Sequence, residues 1–327
     1  MKIISTSAGS YPRIGDSLEQ QRHRQAYAQL ERGEITLEEF ERVQDEVTRD
    51  VIEEQIRAGL DIVTDGQVRW YDPISHIARS VKGCKINGLL RFFDTNFYFR
   101  QPVIENRLSR AGPTILKEFS FAKKFSKKPV KPVLTGPYTL AKLSIDHGGF
   151  GLQRIVKDFA EIIADEVKDL EQEGAEIIQL DEPAILKHPE EFDLFSEAIE
   201  TVSAEKGRSH LALYTYFGDA APLYEKMLEL PVDAVGLDFT YSPTLPQLIE
   251  RLGCDKDIGL GLIDGRNTKL ERPEEILEKL QRIISALHGE NIYLNTSCGL
   301  GDYLPRDIAF KKLQIVATVA ERARRMF

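Results

Sequence analysis

Cysteine is scarce in this chain of 327 residues. Cys84, Cys254 and Cys298 are the only three, too few and too scattered for a disulfide framework, and a reducing cytoplasm is the expected home. Positive charge is also in deficit. A formal net charge of -9 argues against general affinity for nucleic-acid backbone or an anionic membrane surface, since both need clustered Lys and Arg. No run of about 18 apolar residues occurs, so no membrane-spanning helix is expected. The opening MKIISTSAGSYPRIG holds one lysine and a short apolar run, which is no signal-peptide core. HExxH, CxxC, GxSxG and Walker patterns are missing, and none of the six histidines forms a ligand-spaced pair. No linker rich in Pro, Gly or Ser divides the chain, so one domain over 1–327 is expected.

What is present is alternation. Eight short apolar or β-branched runs recur: KIISTSAG (2–9), DIVTDG (61–66), KPVLTGP (131–137), EIIQLDEP (176–183), LALYTYF (211–217), AVGLDF (234–239), IGLGLIDG (258–265) and IYLNTSCG (292–299). Between them lie charged segments of helical period, among them 37–58, 152–173, 191–204, 273–287 and 308–325. ERPEEILEKL begins with a proline and two glutamates, as a first helical turn prefers. Eight buried strands, each followed by helix, predict an α/β fold, a parallel (β/α)8 TIM barrel. A doubly wound open sheet is the alternative, but GSYPRIG (9–15) lacks the spacing of its phosphate loop. Segment 71–127 is long and irregular and carries RFFDTNFYFRQP (91–102). It is expected to leave the barrel after the second strand as a hairpin or lid, or else to form an extra helical layer.

In such barrels the active site lies at the carboxyl ends of the strands. Here those ends are polar: Ser7 and Ser10, Asp65 and Gln67, Thr135, Asp181 and Glu182, Tyr214 to Tyr216, Asp238, Asp264 and Arg266, Ser297 and Cys298. A lone buried carboxylate is costly, so several strands ending in Asp imply a shared polar cavity, a set of ion pairs, or both. Simpler readings stand beside each: Asp181-Glu182-Pro183 as a helix cap, Asp264-Gly265 as a turn, Cys298 as a small buried residue, Trp70-Tyr71 as packing. The lysines of AKKFSKKPVKP (Lys123, Lys124, Lys127, Lys128 and Lys131) form a basic island, either a solvated helix end or an anchor for a polyanionic tail.

Taken together, SYPRIG (10–15), WYDP (70–73), FDTNFYF (93–99), KPVLTGP, QLDEP (179–183), TYF (215–217), GLDF (236–239) and LIDGRN (262–267) resemble cobalamin-independent methionine synthase over nearly the whole chain. That family joins two homologous barrels. The carboxyl-terminal one binds zinc and transfers a methyl group from a polyglutamylated 5-methyltetrahydrofolate to homocysteine. The resemblance implies a methyltransferase of methionine biosynthesis. Asp181 would hold the substrate amino group, with Asp238, Asp264 and Arg266 at the mouth. Ser10, Arg13, Gln67, Trp70, Tyr71, Asn96, Glu182 and Tyr214 would bind substrate, Trp70 and Tyr71 by stacking on a pterin-like ring, and the lysine island would meet a glutamate tail. The catalytic barrel's zinc ligands are a His-x-Cys on the fifth strand, an acid on the sixth and a Cys on the eighth. Leu211 and Leu213 are read in the His and Cys positions, leaving Asp238 and Cys298, two ligands where a catalytic zinc needs about three. Gln67 and Arg266 replace a glutamate and a histidine of that barrel. The TYF, WYD and GLIDGRN stretches resemble the amino-terminal half instead. Three readings follow: an enzyme of methionine synthesis, a folate-binding or structural partner of a separate zinc-bearing barrel, and a barrel like uroporphyrinogen decarboxylase with different chemistry.

Overall fold

The computed structural model describes residues 1–301 and 304–327. Its strands, in chain order, are β1 (Lys2–Ser5), β2 (Val81–Arg91), β3 (Tyr98–Arg110), β4 (Val133–Thr135), β5 (Ile145–Asp146), β6 (Ile177–Asp181), β7 (His210–Thr215), β8 (Ala234–Asp238), β9 (Asp257–Ile263) and β10 (Asn291–Thr296). Seven form one parallel sheet in the order β1-β10-β9-β8-β7-β6-β4. The remaining expected strand, DIVTDG, makes no ladder. It joins its neighbours by single parallel bridges, Thr6 to Ile62 and Val63 to Val130, and so links the two edges of the sheet. The reason is local. The Gln55 side chain, from the helix Leu37–Ala58, accepts from Thr64 N (3.0 Å) and donates to Thr64 O (2.8 Å). The fold is the (β/α)8 TIM barrel that the alternation predicts.

The helices behave as their sequences ask. Helix Leu37–Ala58 starts at Thr36 in a capping box with Glu39 and stops at Gly59, whose φ is 98°. Helix Pro273–Ile283 begins with the proline and glutamates noted above. Four helices were not anticipated from period: Arg22–Glu31, Pro73–Ala78, Leu116–Phe125 and Pro137–Lys142. Two of them have six residues, too short to show a periodic face. No helix among the described residues is long and apolar enough to cross a membrane.

Two apolar layers hold the barrel together. The larger lies between sheet and helices and includes Leu211, Leu213, Val235 and Leu260. The smaller fills the barrel interior with Ile177, Ala212, Tyr214, Ala234 and Tyr293. Tyr214 fits because Gly236 and Gly259 have no side chains. A Cβ on Gly236 would lie 2.4 Å from the tyrosine ring, and one on Gly259 2.6 Å from its hydroxyl.

Segment 71–127 contains an antiparallel hairpin, β2 with β3, between the helices Pro73–Ala78 and Leu116–Phe125. Its base is fastened to the helix Leu152–Gln172. Arg107 makes two 2.9 Å bonds to Asp158, and Arg110 bonds the fully buried Glu166 and the half-buried Asp169. Bidentate pairs of this kind fix orientation as well as position. The hairpin turn, residues 92–97, reaches the carboxyl-end rim, where Phe92 and Phe93 meet Phe217 at 6.1 and 5.9 Å.

Candidate active site

At that rim lies a cavity of about 50 Å³, lined by Ser10, Gln67, Asp181, Tyr216 and Cys298 and roofed by Phe92, Phe97 and Phe217. Six loops and strand ends that are far apart in sequence converge here. Ser10 is held by the loop after β10: Leu300 N donates to its carbonyl (2.8 Å) and Gly301 N to its Oγ (3.1 Å). Among the described residues, three non-glycines have positive φ: Gln67 (54°), Phe93 (50°) and Phe217 (64°). All three belong to this rim, and such strain collects at functional sites.

Asp181 ends β6. Gln179 Nε2 donates to its Oδ1 (2.7 Å) and the Tyr216 hydroxyl to its Oδ2 (3.1 Å). Burial pushes its carboxyl up to about 7, against the pull of those donors and of Lys131. Lys131 is fully buried. Its Nζ donates to the Ser7 carbonyl (2.9 Å) and lies 4.9 Å from the centre of the Tyr214 ring. Burial lowers it to about 7, with Asp181 opposing.

Beside the cavity is a second polar group. Asp238 is fully buried and accepts from Thr240 N (2.8 Å), Thr240 Oγ1 (2.6 Å) and Phe217 N (3.4 Å). Arg266 lies 3.8 Å from the Tyr241 ring centre, 3.3 Å from Asp264 and 3.1 Å from Thr240 Oγ1. Asp264 also accepts from Arg266 N and Asn267 Nδ2, so it shapes its own turn as the simpler reading supposed. Burial raises Asp238 and the Cys298 thiol, and the charges of Asp238, Arg266 and Asp264 all act on that thiol. The four groups therefore share one side of the mouth.

Several expected site residues serve elsewhere. Glu182 is fully buried and accepts from Tyr138 N (2.9 Å), Thr139 N (2.8 Å) and Thr139 Oγ1 (2.6 Å); it caps the helix Pro137–Lys142 and does not face the cavity. Tyr214 is a plug inside the barrel, and the neighbouring inward residue, Tyr216, reaches Asp181. Arg13 clamps the backbone carbonyls of Val68 and Trp70. Asn96 is exposed in the hairpin turn, where the flanking Phe92 and Phe97 line the cavity instead. Trp70 and Tyr71 do line it, but one Trp70 face is stacked on His76 at 4.8 Å and its Nε1 donates to Glu118. The Tyr71 ring centre lies 5.0 and 5.2 Å from the guanidiniums of Arg79 and Arg100.

The lysine island divides. Lys123, Lys124, Lys127 and Lys128 are exposed at the end of the barrel opposite the mouth, because helix Leu116–Phe125 runs down to the point where the chain re-enters the sheet. Lys123 Nζ donates to Glu173 O, just before β6 begins. None of the four lines the mouth cavity. Lys131, grouped with them on sequence, is fully buried inside the barrel beside the Tyr214 ring. Period-two counting from Thr135 through Val133 to Lys131 would have put it on an inward face. The same count from Tyr214 gives Tyr216.

That periodicity also corrects the metal reading. Leu211 and Leu213 point outward into the sheet–helix layer, so they cannot stand where inward ligands would. The inward pair at this height is Tyr214 and Tyr216. With Asp238 and a buried Cys298 whose thiol is pushed up, they form no set suited to zinc, which takes thiolate, imidazole and carboxylate donors. Among the described residues, the one cluster of three such donors is His188, Glu190 and Glu191, and Glu191 is already engaged by Tyr138 and Lys142.

Comparison with known proteins agrees with this architecture. Residues 3–322 match the family model described as the catalytic domain of cobalamin-independent synthase. A protein named methionine synthase from Saccharolobus solfataricus is 32% identical over 316 residues, covering 95% of this chain and 92% of its own length. Its counterpart from Sulfurisphaera tokodaii is also 32% identical, with 95% and 89% covered. The structure of a B12-independent methionine synthase from Shewanella sp. W3-18-1 superposes with a TM-score of 0.82 at 22% identity, over 100% of this chain and 99% of that one. One from Listeria monocytogenes gives 0.77 at 16% identity, with 99% of each chain covered; at these identities the structures speak for the fold. With a family model across nearly its full length and curated relatives at this identity, the chain belongs to the cobalamin-independent methionine synthase family.

Proposed function

We propose that this single barrel domain is a methyltransferase of methionine biosynthesis, with homocysteine as acceptor and a folate-type methyl donor. The observation that carries the reading is Asp181, a buried carboxylate oriented by Gln179 and Tyr216 toward the cavity at the barrel mouth. An acid so held is suited to the ammonium group of an amino acid. Ser10 and Gln67 offer neutral polar groups on the other wall. In the reaction the sulfur–methyl bond forms as the nitrogen–methyl bond breaks, and the thiol proton ends on the folate nitrogen. This chain's part is to bind and orient the amino acid and to exclude water beneath the aromatic roof. The rings of Phe92, Phe97 and Phe217 cover the cavity from the side of the turn 92–97.

Among the described residues the donors at the mouth make no zinc site, and none is arranged to make a thiolate. That specific lack favours a second reading beside the first: the thiolate-forming centre resides on a separate, zinc-bearing barrel chain with which this one works. A methyl-transfer assay with homocysteine and 5-methyltetrahydrofolate, run with this chain alone and with such a homologue added, tests both. Methionine formed by the isolated chain would reject the need for a partner. No binding of homocysteine or methionine in either arm would reject the amino-acid site.

A further inference from the structure

One wall of the mouth cavity is a single stretch of chain, with Gln67, Trp70, Tyr71, Asp72 and Pro73 all lining it. Trp70, the only tryptophan of the protein, also borders a smaller void with Asp65, Glu118 and Lys131. Its backbone is pinned: Trp70 N donates to Gln67 O (3.0 Å), and Arg13 donates to Trp70 O. Its side chain is clamped from the two flanks of segment 71–127. From the helix Pro73–Ala78, the His76 ring stacks on the indole, 4.8 Å between centres and 14° from parallel. From the helix Leu116–Phe125, Glu118 Oε2 accepts from the indole Nε1 (3.0 Å), and Glu118 Oε1 lies 3.0 Å from His76 Nε2. One carboxylate thus ties both rings, and only 11% of that side chain is exposed.

Both flanks are themselves anchored. Asp72 accepts from Ile74 N (3.0 Å), Ser75 N (2.6 Å) and Arg100 N (3.1 Å), which fastens the His76 helix to the hairpin. Glu166 accepts from Thr114 N (2.8 Å) and from Arg110, which fastens the start of the Glu118 helix. Packing and stacking hold the indole in its layer, but a directional N–H bond to a carboxylate also fixes its rotation. Glu118 does not line the mouth cavity, so any effect it has there passes through Trp70.

We propose that Glu118 is a positioning residue: by holding the Trp70 indole it sets the 67–73 wall against which an amino-acid substrate packs. The inference rests on the reading of the cavity as an amino-acid site. It gives segment 71–127 a second duty, since its turn covers the cavity while its two ends hold one wall.

The test compares the full chain with Glu118→Gln, which keeps an acceptor for the indole N–H, and with Glu118→Leu, which removes it at similar volume. Time-resolved fluorescence anisotropy reads the ring directly, because no other tryptophan emits. A fast component of ring motion should appear in ligand-free Glu118→Leu and stay near the unmodified level in Glu118→Gln. By calorimetry Glu118→Leu should bind L-methionine about tenfold more weakly, as for loss of one hydrogen bond to a charged group, and Glu118→Gln within about threefold of the unmodified chain. In a Trp70→Phe background the ring has no N–H to give, and the further effect of Glu118→Leu should shrink to about twofold or less if the glutamate acts through the tryptophan. An unchanged anisotropy decay in Glu118→Leu, or an equal loss of affinity in both backgrounds, would overturn the proposal and leave Glu118 a support of the fold. Should Glu118→Leu not fold, Glu118→Asp, one methylene too short to tie both rings, must show the same fast motion and weaker binding or the proposal falls. Failure of the unmodified chain to bind methionine would instead reject the amino-acid reading, while the ligand-free anisotropy decides the hold on Trp70 independently.

Discussion

The two rims of this barrel hold the same residue type in opposite states. At the end where the strands begin, Asp257 accepts from Asn291 N (2.9 Å) and Nδ2 (2.6 Å) and lies 3.1 Å from His210. Asp61 accepts from Ser5 N (2.8 Å), Ser5 Oγ (2.7 Å) and Arg324. Burial pushes both up, yet these partners bring both below the ordinary carboxylate range. At the mouth, burial wins: Asp181 rises to about 7 and Asp65 to about 6, and Asp238 rises too. One rim uses its acids to hold the sheet together. The other keeps acids under-compensated, which costs stability and leaves them ready for a ligand.

The sharpest way to break this comparison is Asp181→Asn. Loss of a charge-assisted contact should weaken amino-acid binding by about 100-fold, or roughly 3 kcal/mol, while the melting temperature at pH 7.5 holds or rises. A fall in stability matching the fall in binding would refute the contrast. Gly236→Ala tests the barrel interior between the rims. Its Cβ would strike the Tyr214 ring, and overpacking of this kind should cost about 1–3 kcal/mol in denaturant unfolding. Asp257→Ala should cost about 1–2 kcal/mol of stability and leave methyl transfer within about twofold, the inverse of the Asp181 result.

Proton linkage sharpens the same point. Asp61 and Asp257 are depressed in the fold, so their contribution is present above their unfolded values, near 4, and disappears as pH falls through the lower folded ones. Asp181 and Asp65 are raised. The folded chain then binds more protons than the unfolded one between about pH 4 and 7, and their share of stability declines as pH rises through that window. Urea unfolding of Asp181→Asn should therefore show a flatter pH dependence between 4 and 7 than the unmodified chain. Tyr216→Phe removes one donor to Asp181 and should raise KM about fivefold, near 1 kcal/mol, without changing unfolding. The smallest effect belongs to Lys123, Lys124, Lys127 and Lys128. Neutralising all four should leave the KM for mono- and polyglutamylated donors alike, since they lie at the far rim; a loss confined to the polyglutamylated donor would show that the tail reaches them.

Much of the frame was legible in the chain. Alternating runs gave the barrel, polar strand ends gave Asp181, Asp238, Arg266 and Cys298 as neighbours, and RFFDTNFYFRQP gave the hairpin. Roles within the mouth were harder to read. Glu182 and Asp181 are adjacent in sequence, but the alternation of a strand sends one to a helix cap and the other to the cavity. Lys128 and Lys131 are three residues apart, and one is in solvent while the other is sealed inside the barrel. The leucine alignment failed for the same reason: a shift of one residue exchanges the two faces of a strand.

By itself, then, the sequence determined the class of fold, because apolar periodicity follows from burying one face of each element. It also determined the family, because motifs in constant order survive along the whole chain. Only the tertiary structure decided which polar side chains meet, which acids are paired and which are left under-compensated. Those outcomes depend on distance, desolvation and strand facing across residues hundreds of positions apart, and no local pattern encodes them.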